Sequence, residues 1–189
     1  MKNEVAGIKD FVSPPSFPID TEDNGTLRIL ESILSLSLPK DYVEFGGLYG
    51  SGELCISGAS WEIWSPFRRT FHATILNFAR IWNEYRSAVA NNVALKIYPE
   101  VGGILPFAIN ANGGWVCWLT IDSPNQWPVI ELDTLEADGY LQHNLNFSQF
   151  FLKIFKGKLR PLGTSTWDDW DPKKNISFKP RVFHDKKYV

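Results

Sequence analysis

The side chains able to do chemistry are few and scattered. Two cysteines, Cys55 and Cys117, and three histidines, His72, His143 and His184, stand singly along 189 residues. A structural zinc site needs three or four thiolate or imidazole ligands gathered by short spacings. Neither Cys-x-x-Cys nor His-x-x-x-His occurs, so no metal and no cofactor is expected. A cysteine–histidine couple would have to be assembled by the fold alone, and the Gly-x-Ser-x-Gly elbow of serine hydrolases is missing, so no catalytic residue is assigned. The glycine-rich stretch Gly46-Gly47-Leu48-Tyr49-Gly50-Ser51-Gly52 follows a helical pattern and leads into a strand. That is the reverse of the strand-to-helix order that aims backbone N–H groups at a phosphate. Three carboxylates, Glu53, Glu62 and Asp122, lie on or beside strand-like segments of a chain with eight tryptophans. Two acids beside rings would suit glycoside hydrolysis or sugar binding, but the spacing does not fix their separation. Exposed acids flanking a sheet are usually solvated charge.

The charge pattern bears on that choice. The formal charge is −2, yet residues 1–152 hold 9 Lys+Arg against 17 Asp+Glu (−8), while 153–189 hold 10 against 4 (+6). An acidic body repels nucleic-acid phosphates and attracts basic protein surfaces. Hydrophobic residues at 44% and charged residues at 21% describe a folded domain rather than a disordered chain. No apolar run approaches the roughly 20 residues that span a bilayer. The opening Met1-Lys2-Asn3-Glu4 shows no basic-then-apolar export signal, so a reducing cytoplasm is the expected compartment. The Asn24, Asn146 and Asn175 sequons then read as chance matches.

The elements that must position these groups follow from periodicity. Residues 1–20, with Pro14, Pro15 and Pro18, read as an irregular arm. Leu27, Leu30, Ile33 and Leu34 form one helical stripe, with Asp23 or Asn24 as the N-cap. Pro39 opens a second helix with Tyr42, Phe45 and Tyr49 along one face. Two short strands, 53–56 and 60–64, flank the Ser57-Gly58 turn. A long helix over about 70–90 places Phe71, Ile75, Phe78, Ala79, Trp82, Tyr85 and Val89 on one side. Three strands follow at 104–109, 115–121 and 128–132, the first two joined at Asn112-Gly113-Gly114, and a last helix spans 148–156. Helices segregated from antiparallel strands make an α+β fold, here a mostly meander sheet with helices on one face. In strand 115–121 both sets of alternating residues are largely apolar, so its second face needs a cover other than those helices, such as a partner.

Two segments carry a family resemblance. Leu38-Pro39-Lys40-Asp41-Tyr42-Val43-Glu44-Phe45 with Tyr49-Gly50-Ser51-Gly52-Glu53-Leu54 resembles the N-terminal signature of the SUKH superfamily, which includes the SMI/KNR cell-wall-regulator-like proteins. Ile104-Leu105-Pro106-Phe107-Ala108-Ile109-Asn110 running into Gly113-Gly114-Trp115-Val116-Cys117-Trp118 is similar to that superfamily's glycine-linked strand pair. One departure is that Gly114 and Trp115 stand where the family often has an acid. The resemblance spans about residues 21–156 and implies a SUKH-like domain over 21–158, followed by a basic C-terminal extension, 159–189. It also implies a non-enzymatic function: bacterial members are mainly immunity proteins that bind a polymorphic or contact-dependent toxin, often a basic nuclease, and fungal relatives act in cell-wall signalling. The expected partner is a cognate toxin, with neither nucleic acid nor membrane as partner. The expected partner-binding residues are Tyr49, Glu53, Glu62, Trp64, Trp115, Trp118 and Asp122, the core being the competing place for each ring. Trp167 and Trp170 with Asp168, Asp169 and Asp171 form a possible second patch in the extension.

Overall fold

The computed structural model describes residues 4–88, 95–132, 139–162, 164 and 170–183, with the backbone alone at 24 and 85–88. Five helices, α1 (Glu4–Lys9), α2 (Asn24–Leu34), α3 (Lys40–Tyr49), α4 (Phe71–Ala88) and α5 (Phe147–Phe155), accompany seven strands. The strands are β1 (Gly52–Ile56), β2 (Ala59–Ile63), β3 (Ile104–Asn110), β4 (Trp115–Leu119), β5 (Val129–Leu132), β6 (Tyr140–His143) and β7 (Ser177–Pro180). They form one antiparallel sheet in the order β6-β5-β4-β3-β2-β1-β7. Six strands meander, and the seventh returns to pair with the first.

Cross-strand partners share a face, so the register sorts the side chains. Leu54, Trp61 and Phe178 belong to an inner face, as do Leu105 with Trp118 and Ala108 with Val116. A bulge at Pro106-Phe107-Ala108 also turns Phe107 inward, where its ring meets Trp118 at 4.4 Å. Proline lacks a ladder N–H, and the bulge absorbs that loss. Against this face lie α3 and α5, through Tyr42–Trp118 (4.7 Å), Phe107–Phe147 (5.4 Å) and Trp61–Phe151 (6.3 Å). The N-termini of the two helices are tied together by Asp41, whose carboxylate accepts from the Ser148 N–H at 2.8 Å and from the Tyr42 N–H at 2.9 Å.

The arm read as irregular contains α1. Six residues are too few for a helix to stand alone or to show a period, but Val5 and Ile8 are buried against the core. The Glu4 carboxylate accepts from Asn146 Nδ2 (2.6 Å) and Gln149 Nε2 (2.9 Å), the residues of the α5 capping box. In α2 the expected cap is Asp23, which accepts from the Gly25 and Thr26 N–H groups. The inward stripe is Leu27, Leu30 and Leu34, whereas Ile33 faces outward, 56% exposed.

On the outer face of β4, Trp115 meets Phe78 of α4 at 4.8 Å. The cover expected from a partner thus comes from α4, with Phe71, Ile75, Phe78 and Trp82 all buried. Tyr85 and Val89, read on the same stripe, lie outside the described side chains.

The basic extension contributes β7. Phe178 packs edge-on to Phe45 (5.7 Å) and Tyr49 (5.4 Å), and Gly52 leaves it room, since a Cβ there would stand 2.5 Å from its ring. Phe178→Ala is expected to cost about 3–5 kcal/mol, with Gly52→Ala also destabilising, as measured by chemical denaturation. A pH series tests Asp41, whose carboxyl burial raises above its ordinary value of 3.8, against the lowering effect of the Ser148 and Tyr42 hydrogen bonds. A raised acid favours folding most while protonated, so its contribution fades as pH climbs through the raised value. Asp41→Asn is expected to flatten that decline relative to wild type.

Candidate functional site

The outer face divides in two. Its β3–β5 half is apolar and includes Trp115 under α4, whereas its β7-β1-β2 half carries polar side chains that remain half exposed. Glu53 of β1 stands directly opposite Glu62 of β2, with Lys179 of β7 on its other side and Ile109 of β3 beside Glu62. The next row is Ser177, Cys55 and Ser60. Two carboxylates directly opposed across a ladder repel, and Arg181 stands between them. Its Nη1 lies 3.1 Å from Glu62 Oε1 and 3.7 Å from Glu53 Oε2.

Arg181 is positioned by its backbone, which donates to the Ser51 carbonyl at 3.1 Å. Ser51 in turn donates its N–H to the Ile19 carbonyl at 2.7 Å, and its hydroxyl accepts from the Ser65 N–H at 3.0 Å. Gly50, at φ 70° and pressed against the Ile19 carbonyl, gives the turn a left-handed conformation with no side chain in the way. The glycine-rich motif therefore shapes a turn that both chain ends grip.

The chemistry available here is electrostatic. Burial, then the Glu53 carboxylate, push the Cys55 thiol up, against Lys179 and Ser177. Burial alone raises Cys117 well above the ordinary thiol value. Neither thiol is poised as a thiolate nucleophile. Among the described residues no group of three or more His, Cys, Asp or Glu gathers to hold a metal. No helix there is long and apolar enough to cross a membrane.

Of the seven residues expected to contact a partner, the fold brings Glu53 and Glu62 together and places Asp122 elsewhere. Asp122 is exposed, at φ 56° in the loop after β4, beyond the Leu119 end, while Glu62 lies level with the Trp115 end. The four rings belong to the core. Tyr49 is fully buried, stacks on Phe45 at 4.4 Å and donates its hydroxyl to the Val12 carbonyl at 2.6 Å. Trp64 lies between Phe71 and Trp115, 4% exposed. Trp115 (7%) is covered by α4, and Trp118 (0%) by α3 and the Trp127 ring. With those tryptophans enclosed, the acid pair has none of the ring lining that a sugar cleft from Trp64, Trp115 or Trp118 would need. In the extension, Trp170 is half-buried against the core and Asp171 is half-exposed, its N–H donating to Ser57 Oγ. Trp167, Asp168 and Asp169 lie outside the described residues.

Comparison with protein families gives a match to the SMI1 / KNR4 family (SUKH-1) over residues 23–153. The chain belongs to that family. No curated protein matches it in sequence. In this SUKH-1 protein the matched region holds α2 to most of α5 and strands β1 to β6, while α1 and β7 lie outside it. Glu53 and Glu62 are therefore family-domain positions, and the cations beside them, Lys179 and Arg181, come from the extension. Sequence reasoning missed both, because their only local signal is the Lys-Pro-Arg run after a single phenylalanine.

Arg181 is exposed and Glu62 half-exposed, so screening limits the strength of their pair. A double-mutant cycle on Arg181→Ala and Glu62→Gln, read by denaturation, is expected to give a coupling of about 0–1 kcal/mol. Ellman's reagent on the native protein is expected to modify Cys55 slowly and Cys117 only on unfolding.

Proposed function

We propose that this SUKH-1 protein is a non-enzymatic immunity protein that binds a cognate polymorphic or contact-dependent toxin and neutralises it by stoichiometric steric block. The observation that carries this reading is the Glu53–Glu62 pair on the half-open outer face of a family domain. Half-exposed carboxylates on a rigid sheet need little ordering to meet a basic surface, whose cations would take the place that Arg181 holds between them. The excess of acid through residue 152 speeds the encounter by steering. The partner that fits is a basic toxin domain, such as a nuclease, in which cations that would hold substrate phosphates face the sheet instead. No bond is made or broken. The compartment of action is the cytoplasm, where such a toxin meets its target.

Co-expression with the product of the adjacent gene tests this. The wild-type chain is expected to co-purify with that product at one-to-one stoichiometry and to restore growth. Glu53→Lys/Glu62→Lys is expected to weaken the complex at least tenfold and to make it less salt-dependent, while Asp122→Asn, at the far end of the strands, leaves it unchanged. Failure to co-purify, or full protection by the doubly reversed variant, would count against the assignment.

A further inference from the structure

Three charged residues of the family domain find partners in the short segment that follows β7. Glu53 and Glu62 share Arg181 Nη1, at 3.7 and 3.1 Å. Arg68, in the turn leading into α4, is 6% exposed; it donates from Nη2 to the Phe183 carbonyl at 3.0 Å and from Nη1 to Thr74 Oγ1 at 3.2 Å. Both guanidiniums also lie over the Phe183 ring, Arg68 at 5.7 Å and Arg181 at 5.9 Å from its centroid. Val182 is 56% exposed, so residues 181 and 183 hold the segment and the one between them does not.

This hold is exchangeable. Arg181 is exposed and both glutamates are half-exposed, so water and salt compete for each of its ion pairs. The core contacts of β7 belong to Phe178, and the side chains at 181 and 183 can leave without unpairing that strand. Their departure is nonetheless unfavourable with nothing to replace them. It leaves two opposed carboxylates with Lys179 as the one described cation beside them in the ladder, and it takes an acceptor from an almost fully buried guanidinium. The surface is therefore short of one cation, one ring and one carbonyl whenever the segment is out.

We propose that Glu53, Glu62 and Arg68 form a receptor site for an arginine-x-aromatic segment of a basic protein, and that Arg181-Val182-Phe183 fills this site in cis until such a segment takes its place. The identity of the partner rests on the toxin reading; the site itself rests on the contacts just described. Arginine is favoured over lysine because a guanidinium offers N–H groups to the acids while its carbon lies over a ring, as Arg181 does, whereas an ammonium is a compact and more strongly hydrated charge. An internal ligand on a short tether competes at an effective concentration of about millimolar. Proteins that offer a stray cation are thus excluded, and a partner that supplies the cation, the ring and further contacts of its own is admitted.

The test titrates the isotope-labelled full chain with the blocked tripeptide Arg-Val-Phe and follows amide chemical shifts, which detect weak binding. An opened chain, Arg181→Ser/Phe183→Ser, is expected to show saturable shifts in β1, β2 and at Arg68, and to bind at least tenfold more tightly than wild type. Adding Glu53→Gln/Glu62→Gln to the opened chain, or using Lys-Val-Phe as the peptide, is expected to weaken binding at least threefold. A dispersed spectrum checks that the opened chain is folded, and Arg181→Ser alone, expected to give a smaller gain, replaces it otherwise. The proposal is overturned if the opened chain binds no peptide, if wild type binds equally well, which would make the segment a strap and nothing more, or if neither the acid substitutions nor the lysine peptide changes the affinity. No toxin enters these titrations. Failure of the adjacent gene's product to co-purify counts against the toxin reading and leaves the site standing, whereas a silent titration counts against the site alone.

Discussion

The fold depends on the enclosure of one ring. Tyr42 has no exposed surface, and around it stand Trp118 at 4.7 Å, Phe147 at 5.3 Å, Phe107 at 6.2 Å and Phe71 at 6.4 Å. These neighbours belong to β4, α5, β3 and α4, so a single side chain of α3 touches four other elements. A buried phenol must also place its hydroxyl, and this one donates to the Trp64 carbonyl, just after β2. Burial accordingly pushes its ionisation far up. The position of α3, the course of the chain out of β2 and the start of α4 are thus fixed together.

Committing the rings to the interior leaves the surface to charge. Both faces of the central strands are covered from within the chain, by α3 and α5 on one side and α4 on the other, so Trp115 and Trp118 have no partner surface to supply. What remains on the free end of the sheet is a mixed charge cluster, Glu53 and Glu62 with Lys179 and Arg181 beside them. That cluster rests on paired strands, which hold its side chains in register.

How much of this the sequence disclosed depends on how far apart the interacting residues lie. Helices α2, α3, α4 and α5 and strands β1 to β5 were legible because each shows its own period. β6 was not, because Tyr140, Leu141 and Gln142 are exposed on an edge and follow no alternation of polar and apolar. β7 offers one phenylalanine beside Lys179 and Pro180, the residues of a protected edge, and becomes a strand only by pairing with β1. The same limit applies to the site. Glu53 and Glu62 were identifiable as strand acids, but their opposition is a matter of register, and Arg181 reaches them through a pairing that no local pattern encodes. Ile33 shows the converse: it fits the helical stripe by spacing, and only the placement of α2 decides that it turns outward.

Ser51 and its neighbours are held from both directions, by Ile19 before them in the chain and Arg181 after them. For a protein made from its N-terminus onward, these two grips arrive at very different times. Ile19 is already outside the ribosome when β1 emerges, and β2 follows almost at once, so one side of β1 is satisfied early. The other side waits until β7, more than a hundred residues later, has been translated. During that interval the nascent domain carries a bare strand edge beside the two glutamates, and their mutual repulsion of similar acidic chains is then its main protection against pairing with the wrong strand.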